Sequence, residues 1–414
     1  MALFPHTTQA PPRRNAAGLW AVAFAFLTVL AFSTVPTPLY AIYQARDGFS
    51  TFLTTVIFAA YAVGVILALF FAGHVSDWLG RRRALVPAVL TSVVSAVVFL
   101  LWRDLPGLLV GRVLSGLSVG IVTATATAYL AELHHAERPG ASPRRAQVLA
   151  STANLGGLAL GPIVAGVLAV TVAAPLTVPF VLFAALLTVA AIGVALAPET
   201  VTPPRTRPAY RPQRVAVPAE ARGRFFGAAA GGFVAFAAFG LFTSLAPSFL
   251  AGTLGRTSHV LAGVPAFTAF AAAVAAQLAT GGWAVRRMLA TGMAALSAGV
   301  LLVVAATWAP SLALFLAGGL VAGAGSGLLF KGGIVTVSGL AAPERRAEVL
   351  AGFFLAGYAG ISVPVLGLGI LGQLVAPKVA LLAFAALLLA GIATAAQSLL
   401  GGPRPHRGRP VPAT

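Results

Sequence analysis

Gly73-His74-Val75-Ser76-Asp77-Trp78-Leu79-Gly80-Arg81-Arg82-Arg83, followed at one remove by Leu85, separates two long apolar runs. Runs of roughly 20 apolar residues match a hydrocarbon layer about 30 Å thick, so a short loop between two of them makes a pair of antiparallel membrane helices. Two glycines permit the tight turn. Three arginines hold it on the cytoplasmic side of a membrane. Asp77, the only acid in the stretch, can bind either an arginine or a helix N-terminus.

The rest of the chain has the same character. Of its 414 residues, 59% are hydrophobic and 9% are charged, and the mean hydropathy is +0.94, which excludes a soluble globular domain. Twelve apolar spans are expected near 17–43, 52–72, 84–102, 105–131, 146–170, 176–197, 225–251, 259–283, 288–308, 310–340, 347–373 and 376–400. The first begins near Leu19 and is too long for a signal h-region, so no cleavable signal is expected. An even count puts both termini on one side, and the arginines make that side the cytoplasm of a bacterial inner membrane. Of 27 Lys and Arg, Arg46, Arg103, Arg256 and Lys378 fall outside and Arg112 and Lys331 within spans, which leaves 21 inside. The formal charge of +18 therefore reads as orientation and contact with anionic lipids, with no nucleic acid partner. The absence of cysteine rules out thiol catalysis, disulfides and cysteine metal sites, and no metal or cofactor is expected.

Two halves are visible. Arg144-Arg145-Ala146-Gln147-Val148-Leu149-Ala150 recurs as Arg345-Arg346-Ala347-Glu348-Val349-Leu350-Ala351, and the spacing of Gly111, Gly116 and Gly120 recurs at Gly318, Gly323 and Gly327. The expected organisation is a tail at 1–16, a six-helix bundle at 17–197, a Pro- and Arg-rich linker at 198–224, a second bundle at 225–400 and a tail at 401–414. The linker, with Pro203, Pro204, Pro208, Pro212 and Pro218, is expected to lie as an extended strap along the inner leaflet.

The loop from Gly73 to Leu85 resembles the signature between helices 2 and 3 of the major facilitator superfamily, Gly-x-Leu-x-Asp-basic-x-Gly-Arg-basic-x-x-Leu. Val75 here replaces the usual Leu, and Trp78 stands at a commonly basic position. The resemblance implies an all-α polytopic fold of twelve transmembrane helices in two pseudo-symmetric six-helix bundles. It further implies a latch in which Asp77, Arg81 and Glu132, with Gly73, Gly80 and Arg82 shaping the loop, meet the start of the eleventh span and hold the outward-open state. A solvated loop cap beside His134 and His135 is the other reading of Glu132. Gly157, Gly161, Pro162 and Gly166 in the fifth span are similar to the family's antiporter signature, although its final Gly-Gly is here Ala165-Gly166. Gly161 and Pro162 are expected to seal that helix against the second half.

Charged groups at membrane depth cost at least about 2.5–3.5 kcal/mol, so Arg112 and Lys331 are expected to face an interior cavity, with snorkelling to the headgroups the alternative for Lys331. Tyr40, Asn154, Phe236, Phe239 and Gln277 complete the candidate cavity lining. All nine Asp and Glu lie in loops or at helix ends, and no phosphate-binding loop is present. The functional expectation is a monomeric secondary transporter, not an enzyme. It exports neutral or anionic lipophilic molecules by alternating access, with protons as one coupling partner. A metabolite or sugar uptake permease, a uniporter and a membrane-embedded lipid-modifying enzyme are the alternatives.

Overall fold

The computed structural model describes residues 12–73, 75–202, 210, 212, 217, 219–252, 255, 258–341 and 345–401. Twelve helices among them are long and apolar enough to span a bilayer. They are α1 Arg13–Asp47, α2 Thr51–Ala72, α3 Arg81–Leu101, α4 Leu105–Glu137, α5 Arg144–Thr171, α6 Val178–Leu196, α7 Ala219–Leu245, α8 His259–Ala279, α9 Val285–Trp308, α10 Leu312–Ser338, α11 Glu348–Leu374 and α12 Pro377–Leu399. Among the described residues there is no strand. Helix is the only open-ended way to satisfy backbone polar groups in lipid. Large exposed side chains such as Trp20, Val63, Phe71 and Leu101 then belong to a surface that faces lipid.

The expected spans agree with these helices to within about six residues, and three features are informative. α4 runs on to Glu137, well past the expected 131, and buries His134 under the next loop. α7 passes through a π turn at Leu241–Leu245 into a further helix, Ala246–Gly252. α1 breaks at Val35, ahead of Pro36 and Pro38. There the hydroxyls of Ser33 and Thr34 donate to the carbonyls of Leu30 (2.7 Å) and Ala31 (3.1 Å), which satisfies backbone near the break.

Close approach at glycine sets how the helices pack, because lipid supplies no hydrophobic drive between them. Gly116 and Gly120 of α4 lie against Tyr61 and Ala68 of α2. Their counterparts Gly323 and Gly327 of α10 lie against Ala269 and Ala273 of α8. Gly111 meets Phe99 of α3, and Gly318 meets Val303 of α9. α2 and α8 also both start on a serine cap: Ser50 Oγ accepts from Leu53 N (3.2 Å) and Ser258 Oγ from Leu261 N (3.4 Å). The glycine spacing is therefore a repeat of structure, with α2, α3 and α4 playing the parts of α8, α9 and α10.

Most of the first hydrophobic core comes from α1–α6 and most of the second from α7–α12. Among the fully buried residues described, they mix where Tyr358, Ile361 and Val365 of α11 join the first and Leu155 and Ala159 of α5 join the second. Arg81–Arg83, Arg144, Arg222, Arg286 and Arg346 stand at one end of the bundle, called the basic face below. Arg46, Arg103 and Lys378 stand at the other. Part of the expected linker strap (203–209, 211, 213–216 and 218) and the tails at 1–11 and 402–414 lie outside the described residues.

Gly116→Val and Gly323→Val should each destabilise the protein by about 1–3 kcal/mol, since each side chain would enter the backbone of the facing helix. Gly367→Ala, with nothing within 4 Å, should not. Size-exclusion chromatography of detergent-purified protein after a temperature ramp tests the contrast, and equal survival of all three would contradict the packing.

Candidate transport site

Two connected spaces run from the middle of the bundle to the basic face. The inner one is narrow and is walled by α1, α2, α4, α5, α7, α8, α10 and α11. The wider one reaches the loop at Asp77 and Arg81 and Arg346, just ahead of α11. Thr123, Asn154, Leu155, Phe330, Phe354 and Tyr358 line both, so they form one funnel.

Beyond the inner space the walls close. A Cβ at Gly369 of α11 would lie 3.2 Å from Thr55 Cβ of α2. Gly263 of α8 abuts the Pro162 carbonyl of α5, and Gly166 abuts the His259 carbonyl. The funnel is thus open to the basic face and shut towards the other.

Its wall is aromatic. Phe236 packs 5.4 Å, centroid to centroid, from both Phe330 and Tyr358. Phe239 stacks on Phe270 at 4.4 Å, and Tyr61 meets Tyr358 edge to face across the two halves at 6.5 Å. Arg112 supplies the fixed charge. It is 2% exposed, its guanidinium carbon sits 4.7 Å from the Tyr61 ring centre, and Nη1 donates to the Ser33 carbonyl at 2.6 Å. Nη2 makes a longer contact with the Phe58 carbonyl (3.4 Å), and Nε has no partner. No carboxylate lines the inner space.

At the basic face Arg81 organises a second cluster. Its Nη1 donates to Asp77 (2.5 Å) and Ser76 (2.8 Å), and its Nη2 donates to Glu132 (2.8 Å). Glu199, just past α6, was not expected here. Its carboxylate accepts from the backbone N of Arg81 (2.8 Å) and Arg82 (3.1 Å), so it caps α3. Gly80 makes room for it: φ is +109°, and a Cβ there would come 2.6 Å from Glu199 Oε2. Thr200 Oγ1 donates to Glu132 (2.5 Å) and Tyr129 Oη to the Pro198 carbonyl (2.6 Å). The signal available in the sequence was one of only nine acids standing where α6 returns to the side of the arginines.

The family model of the Major Facilitator Superfamily matches residues 21–288. The chain belongs to this superfamily. It is a multi-pass membrane protein. An arabinose-proton symporter of Bacillus subtilis (strain 168) is 29% identical over 83 residues, which is 20% of this chain and 18% of the relative. An uncharacterized MFS-type transporter of Mycobacterium tuberculosis is 31% identical over 123 residues, 30% of this chain and 18% of the relative. The matched stretches thus span about a fifth of these relatives' length. Two solved structures share the fold over 94% of this chain. The human organic anion transporter MFSD10 has a TM-score of 0.66 at 17% identity and is covered in full. The POT family transporter PepTSo has a TM-score of 0.73 at 11% identity and is covered to 98%.

In this protein the expected site residues separate into groups. Arg112, Asn154, Phe236 and Phe239 line the inner space, and Gln277 lines the wider one. Three expectations need correction. Lys331 lines neither space: its ammonium donates to the Gln277 carbonyl (2.6 Å), tying α10 to α8, and Gln277 Nε2 returns a bond to Gly327 (3.0 Å). Tyr40 is buried about 10 Å farther along α1 than Ser33, at the rise of a helix, among the core residues of the closed end. Ser33, Thr34 and Thr37 line the space in its stead. Gly157 and Gly161 press on Leu27, Ala31 and Thr34 of α1 in their own half, so only Pro162 and Gly166 of that motif meet the second half. A helix advances 100° per residue, and this puts Gly157 and Gly161 on one face and Pro162 and Gly166 on another.

Glu199→Ala should cost about 1 kcal/mol of stability, the loss of a helix cap, and Glu199→Gln less, because one acceptor oxygen remains. Thermal denaturation of the purified protein would show this, and an unchanged profile for Glu199→Ala would dismiss the cap.

Proposed function

We propose that this protein is a transporter that works by alternating access and exports neutral or anionic, largely apolar small organic molecules. One observation carries the reading: an aromatic funnel at membrane depth whose fixed charge is Arg112, with no carboxylate in its inner wall. A lipophilic cation would sit there unpaired beside another positive charge, which is strongly disfavoured. By the positive-inside rule the basic face is cytoplasmic, so both termini lie in the cytoplasm of a bacterial inner membrane, where the arginines also meet anionic lipids. The funnel then takes its cargo from the cytoplasm.

The Asp77–Arg81–Glu132 cluster is the latch in this reading. Asp77 is 58% exposed on the wall of the open funnel, with Arg346, just ahead of α11, on the same space. Closing the basic face would bring α11 against it, and such remakeable ion pairs suit a bistable element. With Lys331 tied to α8, Asp77 and Glu132 are the carboxylates nearest the funnel through which proton coupling could run. The protein acts as a monomer.

Sugar uptake is the second reading, favoured by the arabinose-proton symporter among the relatives. A sugar site needs convergent free donors and acceptors. In this cavity the hydroxyls of Ser33, Thr34 and Thr243 already donate to carbonyls of their own helices.

Everted membrane vesicles from a strain lacking its own pumps, given a compound panel, separate these readings. Accumulation of neutral and anionic aromatics is expected, with little of ethidium or arabinose, and strong ethidium transport would overturn the export reading as stated. Asp77→Asn should abolish most turnover while the folded protein persists, because Arg81 keeps Glu132. Since the chain has no cysteine, Thr55→Cys with Gly369→Cys offers a clean lock across α2 and α11. Oxidation should stop transport and reduction restore it, and full transport by the cross-linked protein would contradict alternating access at this seam.

A further inference from the structure

The unpaired state of Arg112 has a consequence for both cargo and cycle. A guanidinium has five N–H groups and a charge that does not titrate away in proteins. Here two N–H groups face neutral carbonyls, those of Ser33 and Phe58, and Nε has no partner. Carbonyls solvate the cation but do not neutralise it, and no carboxylate lines the space. Tyr61 covers one face of the group at 4.7 Å, and the stacked pair Phe239–Phe270 lines the same cavity. The side chain is 2% exposed and belongs to the cavity wall. A buried charge in this condition calls for a counter-ion.

We propose that Arg112 is the binding group for the single negative charge of an aromatic monoanion, and that this anion speeds the carrier's return, so that the protein exchanges such anions across the membrane. One cation selects one negative charge, and the aromatic wall takes the ring. With anion bound, the closed intermediate of the cycle holds a neutral ion pair. Without it, closure strips the remaining water from a lone guanidinium. The loaded carrier therefore crosses faster than the empty one. This rests on the export reading and narrows its substrate class.

The test uses wild-type protein in proteoliposomes with a nearly isosteric series: 2-naphthalenesulfonate, its neutral sulfonamide and 2-naphthylmethylammonium. The sulfonate is permanently charged, so passive leak is small. Expected binding to the purified protein follows the order sulfonate, sulfonamide, ammonium, with the first two separated by about tenfold, equivalent to about 1.4 kcal/mol. Labelled sulfonate should enter vesicles preloaded with unlabelled sulfonate several-fold faster than empty vesicles. Arg112→Gln should lose both the sulfonate preference and the stimulation, with size-exclusion chromatography of the purified variant reporting its folding. Arg112→Lys should keep part of each. Equal wild-type affinity for sulfonate and sulfonamide, or equal uptake into loaded and empty vesicles, overturns the proposal while leaving export intact. Binding and transport of neither compound overturns both, and the wild-type comparisons decide the matter even if the variants misfold.

Discussion

Close approach of backbones at glycine is the constraint on which the rest of this structure depends. Helices in lipid gain little from hiding apolar side chains, since the surrounding tails are equally apolar. They associate where one backbone can reach another, and Gly116, Gly323 and Gly360 do this against Tyr61, Ala269 and Phe233. The two halves use the device in the same order. Gly157 of α5 presses on α1 and Gly166 on α8 of the other half, while Gly360 of α11 presses on α7 and Gly369 on α2. In each case glycines nine residues apart on one helix tie it first to its own half and then to the facing half.

Most of the fold was legible in the sequence because its determinants are local or periodic. Hydropathy marks a span within itself, and the arginine runs mark the ends. The loop from Gly73 to Arg83 marked the superfamily because tight turn, acid and cation are needed at fixed spacing. The site was less legible, for reasons that differ by residue. Arg112 could be read, since a cation at membrane depth has few places to go. Lys331 satisfied the same rule by another route, through a carbonyl of α8 that no sequence pattern announces. Glu199 lies more than a hundred positions from the backbone amides it caps, and only folding brings α6 back to α3. Gly161 was assigned to the wrong partner because its motif spans two faces of one helix, and a linear signature does not show which face meets which half.

The distribution of charge separates two kinds of work. Asp77, Glu132 and Glu199 converge on Arg81 and the start of α3, so that these three acids are paired with a guanidinium or with amides. Such a cluster can hold the end of a bundle rigid while leaving Asp77 free to find another partner. Arg112 is the opposite case, a charge at depth with only neutral acceptors. The first arrangement is complete within the protein, whereas in the role proposed for Arg112 the second is completed by a bound anion.

The same separation explains where the molecule can open. The five ion pairs among the described residues all lie within α1–α6 and their connections, and none joins α1–α6 to α7–α12. The contacts that shut the far end, at Gly369, Gly263 and Gly166, are van der Waals contacts of a glycine with a side chain or a carbonyl. Contacts of this kind are individually weak and have no partner that must be left charged and bare when they part. Charge-assisted bonds hold the first half together, and small-residue contacts hold the halves to each other. The cheapest large motion is therefore a rocking of one half against the other, about a cavity that stays between them.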